Sequence, residues 1–336
     1  MTKRWAACKC FYMKNFYIPQ LDEHLEYYSD QQFISDCRNF KNANPNILLE
    51  EVQSEMQRRK SRFKVVEDNR KNILETYKSP SVEAFSGFCD FWKSPPIKIL
   101  DDIYRIPVFD SNLCDRIMEE ICKYSHIFFL LHYFYFFYFL ANFKSLGLHH
   151  SQPTSMRKHG VVMKEIGLET IIDRLRPNIE KVSRDLFPEL VGETGLDSYK
   201  AYTIEYDADD KEYLKDIGTH FDNSEVTLNV SLTDDHDGGE LYFIRLVIES
   251  FENKTKLKIC FRDEKMCPFE HQKGVGFLHA GEELHGAMPV ISGKRTNLII
   301  WFRSSSVRNQ LCPMCGDVPD LEIVDHGDSW GDGFTV

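Results

Sequence analysis

The chain has 336 residues, 42% of them hydrophobic, and a formal net charge of −11. This length and apolar content allow one large or two modest domains with a buried core, and they exclude a chain that is disordered throughout. The acidic balance leaves no broad basic surface, so we expect no nucleic acid partner.

The cysteines and the N-terminus indicate a reducing compartment. Ten cysteines in the whole chain are too few and too irregularly spaced for a disulfide scaffold. The first residues, MTKRWAACKCFYMKNFY, include no clean apolar stretch followed by a small-residue cleavage site, so they do not resemble a signal peptide. We therefore expect a cytoplasmic or nuclear protein.

Residues 1–100 are predicted to form a mixed and helical N-terminal region. Up to about Pro45 no period is clear, and no element can be assigned there. The following run, which ends before Ser79-Pro80, is rich in helix formers and lacks Gly and Pro, so it predicts one long or two shorter helices.

Residues 101–197 are predicted to be a strand and helices that support the core. IYRIPVF, from Ile103 to Phe109, has the composition of a short strand, and Asp110 or Ser111 can cap the helix after it. A second apolar helical face lies between residues 171 and 186, where Pro177 predicts a kink or a split.

The aromatic segment from Ile127 to Phe143, IFFLLHYFYFFYFLANF, interrupts this region. A run of about 17 residues is at the lower limit for a membrane-spanning helix. Three interpretations stay open: a membrane contact, a buried helix, and a sequence of doubtful origin. Membrane contact is otherwise not expected.

From about Ser198 the hydrophobic period changes to two. The segments KAYTIEY, VTLNVSL, ELYFIRL, LKICF, GVGFLH and TNLIIWF are separated by Asp, Gly and Lys clusters. We predict an α+β fold with a jelly roll core over residues 198–305 and helices packed outside it. Residues 306–336 are predicted to be an acidic, cysteine-containing tail, with VDHGDSWGDGFTV at its end flexible.

A candidate metal site lies in THFDNSEVTLNV. His220 and Asp222 are two residues apart at the start of a predicted strand, so strand alternation directs both side chains to one face. They can supply two of the three ligands of a two-His, one-carboxylate triad. His285 can arrive from a distant strand as the third ligand, with His279 as its rival, and Arg295 offers a planar fork for a carboxylate.

The segments THFDNSEVTLNVSLTDDHDGGELYF and GVGFLHAGEELHGAMPVISGKRTNLIIWFR resemble the catalytic core of 2-oxoglutarate dioxygenases of the prolyl and lysyl hydroxylase type. This resemblance covers roughly Ser198 to Ser305. A weaker resemblance to iron-dependent oxygenases includes CKCFYMKNFY, IYRIPVF and SSSVRNQLCPMCGDVPDL and extends over nearly the full chain. Against the family pattern, residues 127–143 look inserted.

The resemblance implies a double-stranded β-helix core and a role for each matching residue. The match of HGAMP favours His285 over His279, so the implied iron(II) ligands are His220, Asp222 and His285. Arg295 is implied to bind the distal carboxylate of 2-oxoglutarate. The further matches are Tyr206 beside the co-substrate, Thr227 and Asn229 on the same barrel face, and Gly238-Gly239 in a turn.

The activity implied by the resemblance is hydroxylation by O2, coupled to conversion of 2-oxoglutarate to succinate and CO2. A protein side chain is the favoured substrate and a small molecule the alternative, with L-ascorbate commonly needed to restore oxidised iron. A catalytically inactive binding module with the same fold is the competing hypothesis. A pseudoenzyme more often lacks one of the ligands, so their retention favours an enzyme.

Two cysteine pairs could form a second metal site. Cys312 and Cys315 have the two-residue spacing that suits zinc, and Cys8 with Cys10 could complete four thiolates if the termini meet. Such a zinc ion would be structural. The alternative is two unrelated pairs of thiols.

Overall fold

A computed structural model of the chain describes residues 5–10, 16–18, 21, 23–38, 40, 44–57, 86–90, 95–133, 159–210, 213, 215–244, 267–269, 272–312, 315–324 and 334–335. The elements of the first hundred residues are β1 (Trp5–Cys8), β2 (Phe16–Ile18), β3 (Glu23–Leu25), α1 (Asp30–Cys37), α2 (residues 45–57) and β4 (Ile97–Leu100). Next come β5 (Ile103–Pro107), α3 (Ser111–Tyr133), α4 (Glu169–Leu186) and α5 (Pro188–Val191).

The remaining elements build the core and the C-terminal segment. The core strands are β6 (Ser198–Asp207), β7 (Ile217–His220), β8 (Val226–Ser231), β9 (His236–Gly238), β10 (Leu241–Phe243), β11 (Cys267–Phe269), β12 (Val275–Ala280), β13 (His285–Ala287) and β14 (Val290–Arg303). They are followed by α6 (Ser305–Arg308), β15 (Leu321–Val324) and β16 (Phe334–Thr335).

Two antiparallel sheets form the core. The larger has the strand order β4-β5-β12-β8-β14-β6, with β9 also paired to β14, and the smaller has the order β11-β10-β13-β7. Residues of both sheets line one cavity, so the sheets enclose a common interior. The predicted α+β fold with a double-stranded β-helix core and outer helices is confirmed.

The helices cover the larger sheet with the apolar faces that the sequence predicts. Asp110 caps α3, because its Oδ1 accepts a hydrogen bond of 2.8 Å from the Leu113 amide. Buried residues of α3 and α4, among them Ile117 and Ile179, share one hydrophobic cluster with Leu228 of β8. This cluster covers the outer face of the larger sheet. The inner face of the same sheet lines the cavity.

Pro177 does not split α4, so that alternative is wrong. The helix is continuous from Glu169 to Leu186, with buried side chains on both sides of the proline, including Leu175 and Ile179. Burial of this face offsets the backbone hydrogen bond that the proline cannot donate.

The aromatic segment is only partly described. Residues 127–133 continue α3, whereas residues 134–143 lie outside the described residues, as do residues 58–85 and the predicted strand LKICF. Within the described part of the chain, no helix has the length and apolar character needed to cross a membrane.

The two ends of the chain meet in a small separate sheet of order β15-β1-β16. Phe334 pairs with Ala6, and Thr335 with Trp5, in the part of the chain where the sequence pattern predicts a flexible end. Their backbone groups are paired with a strand that the sequence pattern did not indicate.

The N-terminal region also contains a hairpin, formed by β2 and β3. This hairpin packs with α1 and α2 around Phe33.

Candidate metal centre and adjoining cavity

The pair His220 and Asp222 lies at the edge of the smaller sheet. His220 is the last residue of β7, and Asp222 follows in the loop before β8, so the prediction that the pair begins a strand is wrong. The loop is not a strand because Asp222 donates its amide to the carbonyl of Gly281 (2.9 Å), at the turn after β12. The two side chains still face one another, with His220 Nε2 3.6 Å from Asp222 Oδ1.

His285 reaches the same point from the neighbouring strand. It lies on β13 directly opposite His220 in the antiparallel pairing of β13 with β7, and the two ring centroids are 4.5 Å apart. Its Nε2 is 3.6 Å from Asp222 Oδ2. One ligand atom from each of the three side chains lies within 4.8 Å of the others. These three residues are the ones that the sequence singles out.

Backbone carbonyls orient both imidazole rings. His220 Nδ1 is 2.9 Å from the carbonyl oxygen of Gly218, and His285 Nδ1 is 2.7 Å from that of Glu283. A carbonyl oxygen can only accept a hydrogen bond, so Nδ1 is the protonated nitrogen in each neutral ring. Each Nε2 therefore directs a lone pair at the space beside Asp222, as a metal ligand requires.

Asp222 is buried but remains ionised. Burial alone would raise its pKa, yet the electrostatic influence of the neighbouring His285 and His220 side chains and the hydrogen bond from Thr227 hold the pKa below its usual value. Thr227 Oγ1 donates to Asp222 Oδ2 at 2.7 Å and lies equally close to Ser224 Oγ. The carboxylate thus has one oxygen held by the protein and the other directed at His220.

His279, the alternative to His285 as the third ligand, does not belong to the group of three converging ligand atoms. It is completely buried on β12, with its ring centroid 4.8 Å from that of His285 and 5.2 Å from that of Phe243. Burial and the neighbouring His285 lower the pKa of His279 to about 3, so the ring is neutral at physiological pH. Its Nδ1 interacts with the carbonyl of Ala280 at 2.8 Å. This position supports the ring of His285.

A cavity opens beside the three candidate ligands. Arg295 on β14 lines it with 1% of its surface exposed, and its Cζ lies 5.0 Å from the ring centroid of Tyr206, which lines the same cavity. The two residues are direct partners in the pairing of β14 with β6. A buried guanidinium in a pocket provides strong electrostatic recognition of an anionic carboxylate.

Gly239 makes room for this arginine. Its φ is +75°, and a Cβ built there would be 2.9 Å from Arg295 Cδ and from Val290 Cγ2. Glycine adopts this left-handed backbone without strain and leaves the space open. Of the Gly238-Gly239 motif of the sequence, Gly239 therefore lies against Arg295.

Of the two remaining predicted residues, one lines the cavity and the other lies outside its lining. Asn229 lines the cavity and accepts a hydrogen bond of 2.5 Å from Asn297 Nδ2, whereas Thr227 bonds Asp222 and is not among the residues that line the cavity. Sequence reasoning missed several lining residues. Strand alternation from Arg295 and Tyr206 could have found four of them: Asn297, Ile299, Ile204 and Tyr202.

The donor set fits iron(II). Two imidazole nitrogens and one carboxylate oxygen form the two-His, one-carboxylate set of non-haem iron oxygenases, which leaves other coordination positions for a co-substrate. The buried arginine in the adjoining cavity fits a dicarboxylate such as 2-oxoglutarate.

The chain is similar in sequence to proteins named as iron-dependent oxygenases. The chain is 32% identical over 368 residues to the 2-oxoglutarate and iron-dependent oxygenase domain-containing protein 2 of Xenopus tropicalis, covering 98% of this chain and 93% of the relative. It is 30% identical over 366 residues to the protein of the same name from Mus musculus, covering 99% and 95%. Among solved structures, a Phytophthora capsici prolyl 4-hydroxylase is similar with a TM-score of 0.38 and 12% identity, over 72% of this chain and 66% of that one. No family model matches the chain.

Proposed function

Since the chain belongs to the family of 2-oxoglutarate and iron-dependent oxygenase domain-containing protein 2, we propose that it is an active dioxygenase that hydroxylates a protein side chain. The observation that carries this proposal is the convergence of three ligand atoms beside a cavity lined by a buried arginine. His220, Asp222 and His285 would hold iron(II), and Arg295 would bind 2-oxoglutarate.

Bound iron(II) would supply the redox chemistry that couples oxidative decarboxylation of 2-oxoglutarate, to succinate and CO2, with hydroxylation of the substrate by O2. The chain's part is to hold the ligands. The carbonyls of Gly218 and Glu283 fix the two rings, and Thr227 fixes one oxygen of Asp222. A set held in this way can bind the metal without first reorganising its side chains.

Arg295 would set the orientation of the co-substrate. Its charge lies in a buried site, where a carboxylate interacts with it more strongly than in water because solvent screening is weak. The ring of Tyr206 beside it and the space left by Gly239 hold the guanidinium in place. The far carboxylate of 2-oxoglutarate would bind this fork, with Asn229 on the neighbouring strand β8 of the same cavity wall.

Among the three proposed ligands, His220 is the most exposed to solvent, so a substrate can approach the metal site most easily from its side. The side chain of His220 is 15% exposed, compared with 3% for Asp222 and 5% for His285. Phe221, between the two ligands in sequence, is 55% exposed. An extended side chain of a protein substrate could reach the metal from this side, as the proposal of a protein substrate requires.

The experiment measures succinate formed from 2-oxoglutarate by the purified full chain in air, with iron(II) and ascorbate. We expect slow turnover without added substrate in the wild type, and none in Asp222→Ala or Arg295→Ala. Asp185→Ala and Arg38→Ala remove an exposed carboxylate and an exposed guanidinium away from the site, and they should retain wild-type turnover. Omission of ascorbate should shorten the period of turnover.

Anaerobic titration separates an enzyme from a binding module. Iron(II)-dependent binding of 2-oxoglutarate, seen as a visible charge-transfer band, should appear in the wild type and disappear in Asp222→Ala. Binding without succinate formation, even with a peptide library as substrate, would favour the inactive binding module. Absence of both binding and turnover would refute the assignment of the metal centre.

A further inference from the structure

Four cysteines from the two ends of the chain converge at a second point. Cys8, at the end of β1, and Cys10 meet Cys312 and Cys315 so that all four sulfur atoms lie within 4.8 Å of one another. Cys8, Cys10 and Cys312 are buried, and Cys315 is partly buried. The cluster forms its own hydrophobic group with Leu321, apart from the core clusters of the two large sheets.

The sulfur spacing fits a tetrahedral metal ion and does not fit a disulfide. Cys10 Sγ and Cys312 Sγ are 3.5 Å apart, whereas a disulfide bond is about 2.05 Å long. Four thiolates at about 2.3 Å from a central zinc ion would be about 3.8 Å from one another in a tetrahedron. The upper limit of 4.8 Å found here leaves the side chains only a small adjustment to make.

The backbone of the second pair forms a tight turn. The amide of Gly316 donates to the carbonyl of Cys312 at 2.8 Å, and the amide of Cys312 donates to the carbonyl of Asp317, also at 2.8 Å. Gly316 has a φ of +71°, a left-handed conformation that other residues adopt only with strain. This turn brings the sulfur atoms of Cys312 and Cys315 to the same side.

The first pair is held beside this turn by strand pairing. Cys8 pairs with Leu321 in the antiparallel ladder of β1 and β15, and the Lys9 amide donates to the carbonyl of Asp320 at 2.8 Å. Lys9 Nζ also lies 2.8 Å from Asp320 Oδ2. The ladder and the turn thus fix two half-sites from opposite ends of the chain against one another.

We propose that Cys8, Cys10, Cys312 and Cys315 bind one structural zinc ion that joins the N-terminal and C-terminal segments. Each thiol loses its proton on binding, and the four thiolates fill all four tetrahedral positions, so no position remains for water or substrate. The site is independent of the iron centre, whose three ligands come from other segments of the chain.

Cobalt(II) is a suitable probe, because thiolate coordination gives a sulfur-to-cobalt charge-transfer band and tetrahedral geometry gives intense visible bands. The full chain with Asp222→Ala, in which the proposed iron centre is disabled, is purified under reducing conditions and analysed for zinc. It is then stripped of zinc with a chelator under reducing conditions and loaded with cobalt. We expect one equivalent of tightly held metal and both sets of bands. Failure of the iron assignment would leave these bands unchanged.

Three further substitutions, each made in the Asp222→Ala protein, test which cysteines give the cobalt bands. Cys312→Ser should lose the tight metal and the charge-transfer band. Cys315→His should keep a bound metal with a weaker, shifted band, since histidine can replace one thiolate. Cys37→Ser, which removes a buried cysteine outside the cluster, should behave as the parent protein. A parent protein without the band, or a band that persists in Cys312→Ser, would overturn the proposal.

Discussion

Thr227 offers the sharpest test of how the protein holds its proposed iron ligands. Its side chain is 1% exposed, and its hydroxyl donates to Asp222 Oδ2 at 2.7 Å. Valine has nearly the same shape but cannot donate, so Thr227→Val removes this bond while retaining most of the packing. A hydrogen bond to a charged group contributes about 1.5–3 kcal/mol, and loss of such support lowers metal affinity about 10–100-fold.

We therefore expect Thr227→Val to weaken iron(II) binding about 10–100-fold, equivalent to about 1.4–2.8 kcal/mol. The assay is anaerobic competition between the protein and a chromophoric chelator, followed by succinate formation over a range of iron concentrations. The iron concentration for half-maximal turnover should rise, whereas turnover at saturating iron should change less, because the three ligands and Arg295 are retained.

Thr203→Val is the matched control. Thr203 is a fully buried threonine of β6, and its hydroxyl accepts a hydrogen bond of 2.9 Å from the Val161 amide, away from the ligands. Both variants should lose stability on chemical denaturation, but Thr203→Val should keep wild-type iron affinity. Equal iron affinities of Thr227→Val and wild type would refute the reasoning that this hydroxyl positions the carboxylate.

Two further predictions concern buried charge and ligand identity. Arg308→Met leaves the buried Glu225, 2.9 Å from Arg308 Nε, without its cation, and should cost about 3–5 kcal/mol at neutral pH. Burial already raises the pKa of Glu225, so the folded variant binds a proton at this carboxylate more tightly than the unfolded chain does. The loss of stability should therefore shrink as the pH falls towards 5. Chemical denaturation at several pH values checks this. The exposed pair lost in Arg184→Met should cost under about 1 kcal/mol at every pH. Separately, His285→Gln should abolish iron-dependent binding of 2-oxoglutarate, whereas His279→Gln should retain it with reduced stability; the reverse result would exchange their roles.

The core was predictable because its strands repeat a simple pattern over long segments. β6 and β14 pair over ten residues each, from Ser198 opposite Arg303 to Asp207 opposite Lys294, and nearly all residues of β6 and residues 295–303 of β14 are buried. Runs of this length, rich in β-branched and aromatic residues and bounded by turn residues, are typical of buried strands. The helical faces of α3 and α4 were predictable for the same reason, since their apolar residues recur at helical spacing.

The ends of the chain were not predictable in the same way. β1 has four residues and no periodic pattern, and its partners β15 and β16 are more than three hundred residues away in sequence. Pairing over such a distance depends on where the whole core places the two ends. The cysteine spacing was the signal that could suggest a meeting of the ends, because a four-thiolate site needs both pairs.

Spacing alone could not decide between His279 and His285. His279 ends the predicted strand GVGFLH and His285 comes shortly after it. In the structure His279 lies on β12 of the larger sheet, whereas His285 lies on β13 of the smaller sheet. The short turn between the two strands determines this crossing. Periodicity within a strand gives no information about which sheet the next strand joins.

The loop that carries Asp222 shows how an irregular segment can hold a metal ligand firmly. Arg303 Nε donates to the carbonyl of Asn223 at 3.0 Å, and Arg308 Nη1 donates to Asn223 Oδ1 at 2.8 Å. Glu225 bonds both Arg308 Nε and the Ser304 amide. The end of β14 and the helix after it thus hold this loop with side-chain hydrogen bonds, in place of the backbone hydrogen bonds that a strand would make with its neighbours. Because the same segment continues to Cys312, a C-terminal truncation before α6 would remove support from Asp222, the proposed iron ligand, and half of the proposed cysteine site together.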